Sequence, residues 1–235
     1  MTQVAPGVTV ADKQIAFAKK LIALVPATLG RPYDRHVAVA NAAANLQAVE
    51  RGWPNDSTAI AEANALLAQL YIDGEMPRNA IEAAEHGLTV GPRDHRLLLA
   101  AAIAHDRLGD HAEASAFFEQ ADASFVEGRA GALEDLGALN KIAFHYEKTG
   151  QYADAARVLR RAAALPGATL LDKLVFSQRA LETTIKDGDR EQAKRDLNAM
   201  RSAHRALLSS ARTPVQQQLI DQAEAAIERY DALLK

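Results

Sequence analysis

Cysteine is absent, and with it disulfide staples, thiolate metal sites and a cysteine nucleophile. Aromatic residues make up only 5% of the chain, with Trp53 the one tryptophan, which argues against sheets built from aromatic and β-branched side chains. Charge of neither sign dominates: 27 Lys and Arg face 30 Asp and Glu along the chain, a formal net charge of −3. Such a balance leaves no electrostatic footprint for nucleic acid or an anionic membrane, and neither is expected as a partner. No apolar run approaches the roughly 20 residues needed to span a bilayer, and Met1 to Gly7 lacks a basic start followed by an apolar segment. The expected location is cytoplasmic, with the periplasm open for a chain whose leader has been removed.

Alanine is abundant, about a fifth of the 235 residues, in a composition that is 49% hydrophobic. Alanine is the strongest helix former and lets helices approach closely, so the fold class is all-α. Gly and Pro recur at short intervals, and between them lie segments of helical length and period. Helices are predicted at about 9–25, 33–51, 57–73, 77–89, 94–108, 111–126, 132–149, 152–165, 170–187, 190–209 and 214–234. Thr9 is placed to cap the first and Pro26 to stop it; Gly52 and Pro54 end the second. Phe125 to Gly131, with two glycines, reads as a longer loop. No segment has the character of an interdomain linker, so residues 1–235 are expected to form one domain.

An internal repeat is the strongest signal. Tyr71, His105, Tyr146 and Thr184 each precede an alanine by nine residues: Ala80, Ala114, Ala155 and Ala193. Four residues after each alanine come Ala84, Phe118, Leu159 and Leu197, and five or six before it Gly74, Gly109, Gly150 and Gly188. The glycines would supply the turns of helical hairpins, and the alanines the places where paired helices touch. In the segment LNKIAFHYEKTGQYADAARVLRRAAALP, Leu139, Ile142, Ala143 and Tyr146 fall at i, i+3, i+4 and i+7, a single buried face.

This segment and LLLAAAIAHDRLGDHAEASAFFEQA resemble the tetratricopeptide repeat family. Leu139, Ile142, Ala143, Tyr146, Gly150, Tyr152, Ala155, Leu159, Ala162 and Pro166 stand at the family's signature places, Pro166 one residue early. So, in the other copy, do Leu98, Ala101, Ala102, Gly109, Ala114, Phe118 and Ala121. The alanines are 34, 41 and 38 residues apart, so one interval has the family's 34-residue period, and the usual tryptophan is missing. The resemblance covers residues 57–209 as four repeats, with 1–55 as a degenerate N-terminal helix pair and 213–235 as a capping helix. It implies an α-solenoid of antiparallel hairpins wound as a right-handed superhelix. In the cap, Thr213 and Pro214 open a helix whose apolar stripe is Val215, Leu219, Ala223, Ile227, Tyr230 and Leu234, set to cover Leu197, Met200 and Leu207; Gln216, Gln217, Asp221, Glu224 and Glu228 form its polar face.

Catalytic patterns are missing from this sequence. There is no G-x-S-x-G elbow, no Walker loop and no dinucleotide fingerprint, and no cofactor is expected. None of the seven histidines pairs with another at ligand spacing on one helix. His105 and His111, near Asp106 and Asp110, come nearest, but His105 stands where the repeat requires a buried aromatic, so a packed histidine is expected and no metal. Opposite charges such as Asp154 with Arg157 and Glu191 with Arg195 read as solvated helix faces. Trp53 reads as a packed loop anchor. The chain is therefore expected not to be an enzyme.

What the resemblance implies is a scaffold or adaptor that holds a protein or peptide segment on the concave face of the stack. A regulatory or substrate-recruiting module, with its active site on another chain or a missing region, stays open as the alternative. The expected binding residues are Arg107, Asn140, Lys141, Phe144, Glu147, Gln178 and Glu182. Asn140, Phe144 and Glu147 fall at i, i+4 and i+7, a stripe beside the buried face of Leu139, Ile142 and Tyr146. Some family members clamp a terminal carboxylate. Asn140 and Lys141 match part of such a clamp, but the corresponding places in the preceding repeat are Leu99 and Ala100, so the expected ligand is an internal segment or a helix.

Overall fold

The computed structural model describes residues 10–24, 32–91, 94–125, 132–210 and 214–235. Every regular element among them is an α-helix: α1 (Val10–Leu24), α2 (Pro32–Gly52), α3 (Ser57–Asp73), α4 (Pro77–Val90), α5 (His95–Leu108), α6 (His111–Ser124), α7 (Ala132–Lys148), α8 (Tyr152–Ala164), α9 (Leu170–Asp187), α10 (Arg190–Leu208) and α11 (Pro214–Leu234). Each lies within two residues of its sequence expectation, because the punctuation is chemical. Asp56, Asp94 and Asp189 accept backbone N–H bonds at 2.9 Å from Ala59, Arg96 and Gln192, capping α3, α5 and α10. Thr169 and Asp172 close a reciprocal capping box on α9. Thr9, Pro26, Thr213 and the loop expected beyond Phe125 lie outside the described residues.

Contacts gather the chain into two compact units, Met1–Phe125 and Val126–Lys235. In the first, α1 packs on α2, α3 on α4 and α5 on α6, and α3 touches both α1 and α5. Its core is rich in alanine: Ala68, Ala80, Ala84, Ala101 and Ala104 are fully buried around Leu46 and Leu70. Small side chains allow short interaxial distances, and at Gly91 the approach is closer still. A Cβ there would stand 2.4 Å from that of Ala61. Trp53 is half-buried against this core.

In the second unit, α7 packs on α8 and α9 on α10, with α8 joined to α9 and α11 laid against α10 and α9. Leu139, Ile142, Ala143, Ala155, Leu159 and Ala162 have no accessible surface. Burying a leucine or isoleucine to this degree is worth about 1.5–3 kcal/mol. The capping helix rests on Leu197, Met200 and Leu207 as expected, but its buried face is rotated from the sequence reading. Ile220 and Ala226 join Ala223, Tyr230 and Leu234 in the interface, while Leu219 and Ile227 are only half-buried at its edge.

The turns resolve the looseness in glycine spacing. Gly109, Gly150 and Gly188 have φ of 85°, 78° and 89°, the left-handed region that an L side chain enters at a cost. Each stands five residues before its repeat alanine. In the earliest copy Gly74 stands six before Ala80 and is right-handed at φ −80°, and the left-handed place falls to Glu75, φ 60°.

Candidate partner-binding site

The second unit carries a polar ladder across one side of its odd-numbered helices. On α7, Asn140, Phe144 and Glu147 form the expected stripe, with Lys141 exposed beside it. Arg179 on α9 donates through Nη1 to Asn140 Oδ1 and through Nη2 to Glu147 Oε2 at 2.8 Å. Thr183 Oγ1 donates to the other oxygen of Glu147 at 3.1 Å. These three bonds fix both ends of the stripe, and Phe144 lies between them along α7. With 62% of its surface accessible, Phe144 is the most exposed large apolar side chain among the described residues of this unit, and Val175, four residues before Arg179 on α9, is also exposed.

The ladder continues to α11. Gln178 Nε2 and the Tyr230 hydroxyl donate to Glu182 Oε1 at 3.0 and 2.9 Å. Arg229 lies over the Tyr230 ring, 4.5 Å from its centroid, and donates to the phenol oxygen. Burial raises the Tyr230 pKa, the bond to Glu182 adds to the rise, and Arg229 opposes it. The phenol is thus held as a donor toward a carboxylate.

Of the seven residues expected from the sequence, the structure brings Asn140, Lys141, Phe144, Glu147, Gln178 and Glu182 onto α7 and α9 of one unit. Arg107 belongs to the other. There its guanidinium donates to the carbonyl of Ile72 in the last turn of α3, a cation on exposed helix-end carbonyls. Leu99 and Ala100 are buried, at 6% and 3% accessibility, and offer nothing to a ligand carboxylate. Sequence reasoning missed Arg179, Thr183 and Tyr230. The 38-residue offset between repeats takes Asn140 to Gln178 and Phe144 to Glu182, and the same offset takes Lys141 to Arg179.

His105 is a packed histidine. It stacks on Phe117 with ring centroids 5.5 Å apart, and its side chain is 13% exposed. Among the described residues, no group of three or more His, Asp or Glu is arranged to hold a metal ion, and no helix is long and apolar enough to cross a membrane.

Hairpin packing, left-handed turn residues and buried repeat alanines recur along the chain. Residues 95–123, covering α5 and α6, match the tetratricopeptide repeat family model. That stretch is similar to a tetratricopeptide repeat, within an all-α stack of helical hairpins. Solved structures agree at the level of fold. MamA protein superposes with a TM-score of 0.53 at 15% identity, covering 86% of this chain and 99% of that one. A Podosopora anserina putative kinesin light chain, described as nearly identical TPR-like repeats, gives 0.53 at 16% identity, covering 84% and 96%. Pseudomonas aeruginosa PilF gives 0.50 at 14% identity, covering 95% and 92%. No curated protein is significantly similar in sequence. Tetratricopeptide folds generally serve as protein-interaction scaffolds and are typically non-catalytic.

Proposed function

We propose that this chain is a protein-binding scaffold and that the α7 and α9 face of its second unit receives an extended or helical segment of a partner protein. The observation that carries this reading is Phe144: an aromatic ring held in solvent at the centre of a stripe whose two polar ends are already fixed by Arg179. Pre-fixed polar groups lose little conformational entropy on binding, and an aromatic side chain supplies the apolar area typical of a binding hot spot. Lys141, exposed beside the ring, and the edge of the Gln178–Glu182 pair supply polar contacts at the rim. Arg107 belongs to the first unit, where it is anchored to α3.

The test begins with proteins captured from the source organism by the wild-type chain and lost with Phe144→Ala. A partner so found is purified, and its affinity is measured by calorimetry for wild type, Phe144→Ala and Asn140→Ala, each checked for an unchanged helical spectrum. Truncating the anchor is expected to cost about 2 kcal/mol or more. Wild-type affinity in both variants would place the interface elsewhere.

A further inference from the structure

A second surface lies on the other side of α9. Two residues apart on a helix are about 200° apart around its axis, so Lys173 and Ser177 face away from Val175 and Arg179. On that side α8 and α10 flank an open groove of about 570 Å³. Its apolar lining is Ala163 and Ala164 from α8, Ala199, Ala203 and Ala206 from α10, and Leu170 from the start of α9, beside the polar Arg160, Lys173, Ser177, Asp196 and Ser202. Asp196, the sole carboxylate in the lining, is saturated by Arg160 at 3.0 Å, Thr184 at 2.7 Å and Gln192 at 2.8 Å.

The charge around this groove departs from that of the chain. The chain as a whole is slightly acidic, yet α8 and α10 carry eight Arg and Lys against three Asp and Glu. Asp154, Glu191 and Asp196 are already taken by Arg157, Lys194 and Arg160. Lys173, which lines the groove, has no carboxylate partner among the described residues. Nor does Arg195 of α10, which donates to Gln192. Arg195 lies in register with Ala199 and Ser202 at i+4 and i+7, so it edges the groove.

We propose that this groove docks an acidic amphipathic helix of a partner protein, its apolar stripe on the alanine lining and its carboxylates against Lys173 and Arg195. Small side chains on both walls allow a third helix to lie close, and uncompensated cations at the rim select for acidic residues on its flanks. The helical walls offer no free strand edge, which excludes strand addition. No aromatic side chain lines the groove for base stacking. A helix satisfies both the apolar floor and the charged rim.

The test uses a phage-displayed library of random 16-residue peptides selected on the full chain, with counter-selection on Ala199→Glu, which places a carboxylate in the floor at an exposed position. Peptides retained are expected to be acidic, with apolar residues at i, i+4 and i+7. Fluorescence anisotropy of the best peptide should show at least tenfold weaker binding to Ala199→Glu and to the double variant Lys173→Glu, Arg195→Glu, and a change below twofold with Phe144→Ala. All variants sit at accessible or half-buried positions and are checked by thermal melting. Selected peptides that lack acidic amphipathic character would overturn the proposal, as would binding indifferent to both groove variants. So would displacement of the peptide by a 20-nucleotide single strand or by phosphatidylserine vesicles at lower concentration than by unlabelled peptide. Loss of peptide binding through Phe144→Ala alone would assign the peptide to the α7 and α9 face instead.

Discussion

Glu75 holds, with φ 60°, the left-handed place that glycine fills in the three later repeats, and its Cβ carries the strain that Gly109, Gly150 and Gly188 avoid. Replacing it with glycine relieves that strain and adds some freedom to the unfolded chain, two terms of opposite sign. The net expectation for Glu75→Gly is a gain of about 0.5–1 kcal/mol, read as a higher urea midpoint with unchanged slope. The repeat alanines make the opposite case. Ala114 and Ala155 have no accessible surface and sit where paired helices meet, so leucine at either place must push the helices apart. A loss of about 1–3 kcal/mol is expected from Ala114→Leu or Ala155→Leu, and an unchanged melting temperature in both would contradict the packing. These positions were legible in the sequence because size and spacing alone define them. Arg179 was not, since its role depends on Asn140 and Glu147, 39 and 32 residues away.

Helix boundaries were the most legible feature, since Gly, Pro and capping side chains act locally. Among the caps, Asp94 is also an electrostatic element of α5. Burial would raise its pKa, but hydrogen bonds and the ion pair with Arg96, with a smaller contribution from His95, outweigh that and hold it below the ordinary carboxylate range. A folded-state pKa below the unfolded one means that the charged cap's stabilisation is complete above the unfolded value, near 3.9, and is lost as pH falls through the folded value. Asp94→Asn keeps a capping oxygen but removes the charge. The stability difference between wild type and Asp94→Asn, measured by urea unfolding at pH 7, should therefore shrink as the pH is lowered below about 4. A difference independent of pH would mean that the ion pair with Arg96 adds nothing to the cap. The register of α11 was less legible than its existence. Its apolar residues occupy two adjacent lanes, and only the positions of Met200 and Leu207 decide that Ile220 and Ala226 are the ones covered.

Across the whole molecule, totals conceal distribution. A net charge near zero suggested no electrostatic surface, yet counting by helix places the positive excess on α8 and α10, information the sequence holds once the helices are known. A repeat stack must also end, and each end exposes the apolar face on which another repeat would have packed. In the second unit α11 covers that face: Ile220, Ala223, Ala226, Tyr230 and Leu234 close over Leu197, Met200 and Leu207, while Asp221, Glu224 and Glu228 face solvent. Arg201 on α10 binds Asp231 at 2.6 Å, and the Tyr230 phenol donates to Glu182, so the seal has polar pins at its edge. Removing residues 214–235 uncovers fully buried Met200 and breaks both pins. The truncated chain is expected to self-associate in analytical ultracentrifugation and to melt at a lower temperature. Leu197→Glu with Met200→Gln in the truncated chain restores a polar end and should reduce the self-association. A truncated chain that stays monomeric and equally stable would mean that the face beneath α11 needs no cover.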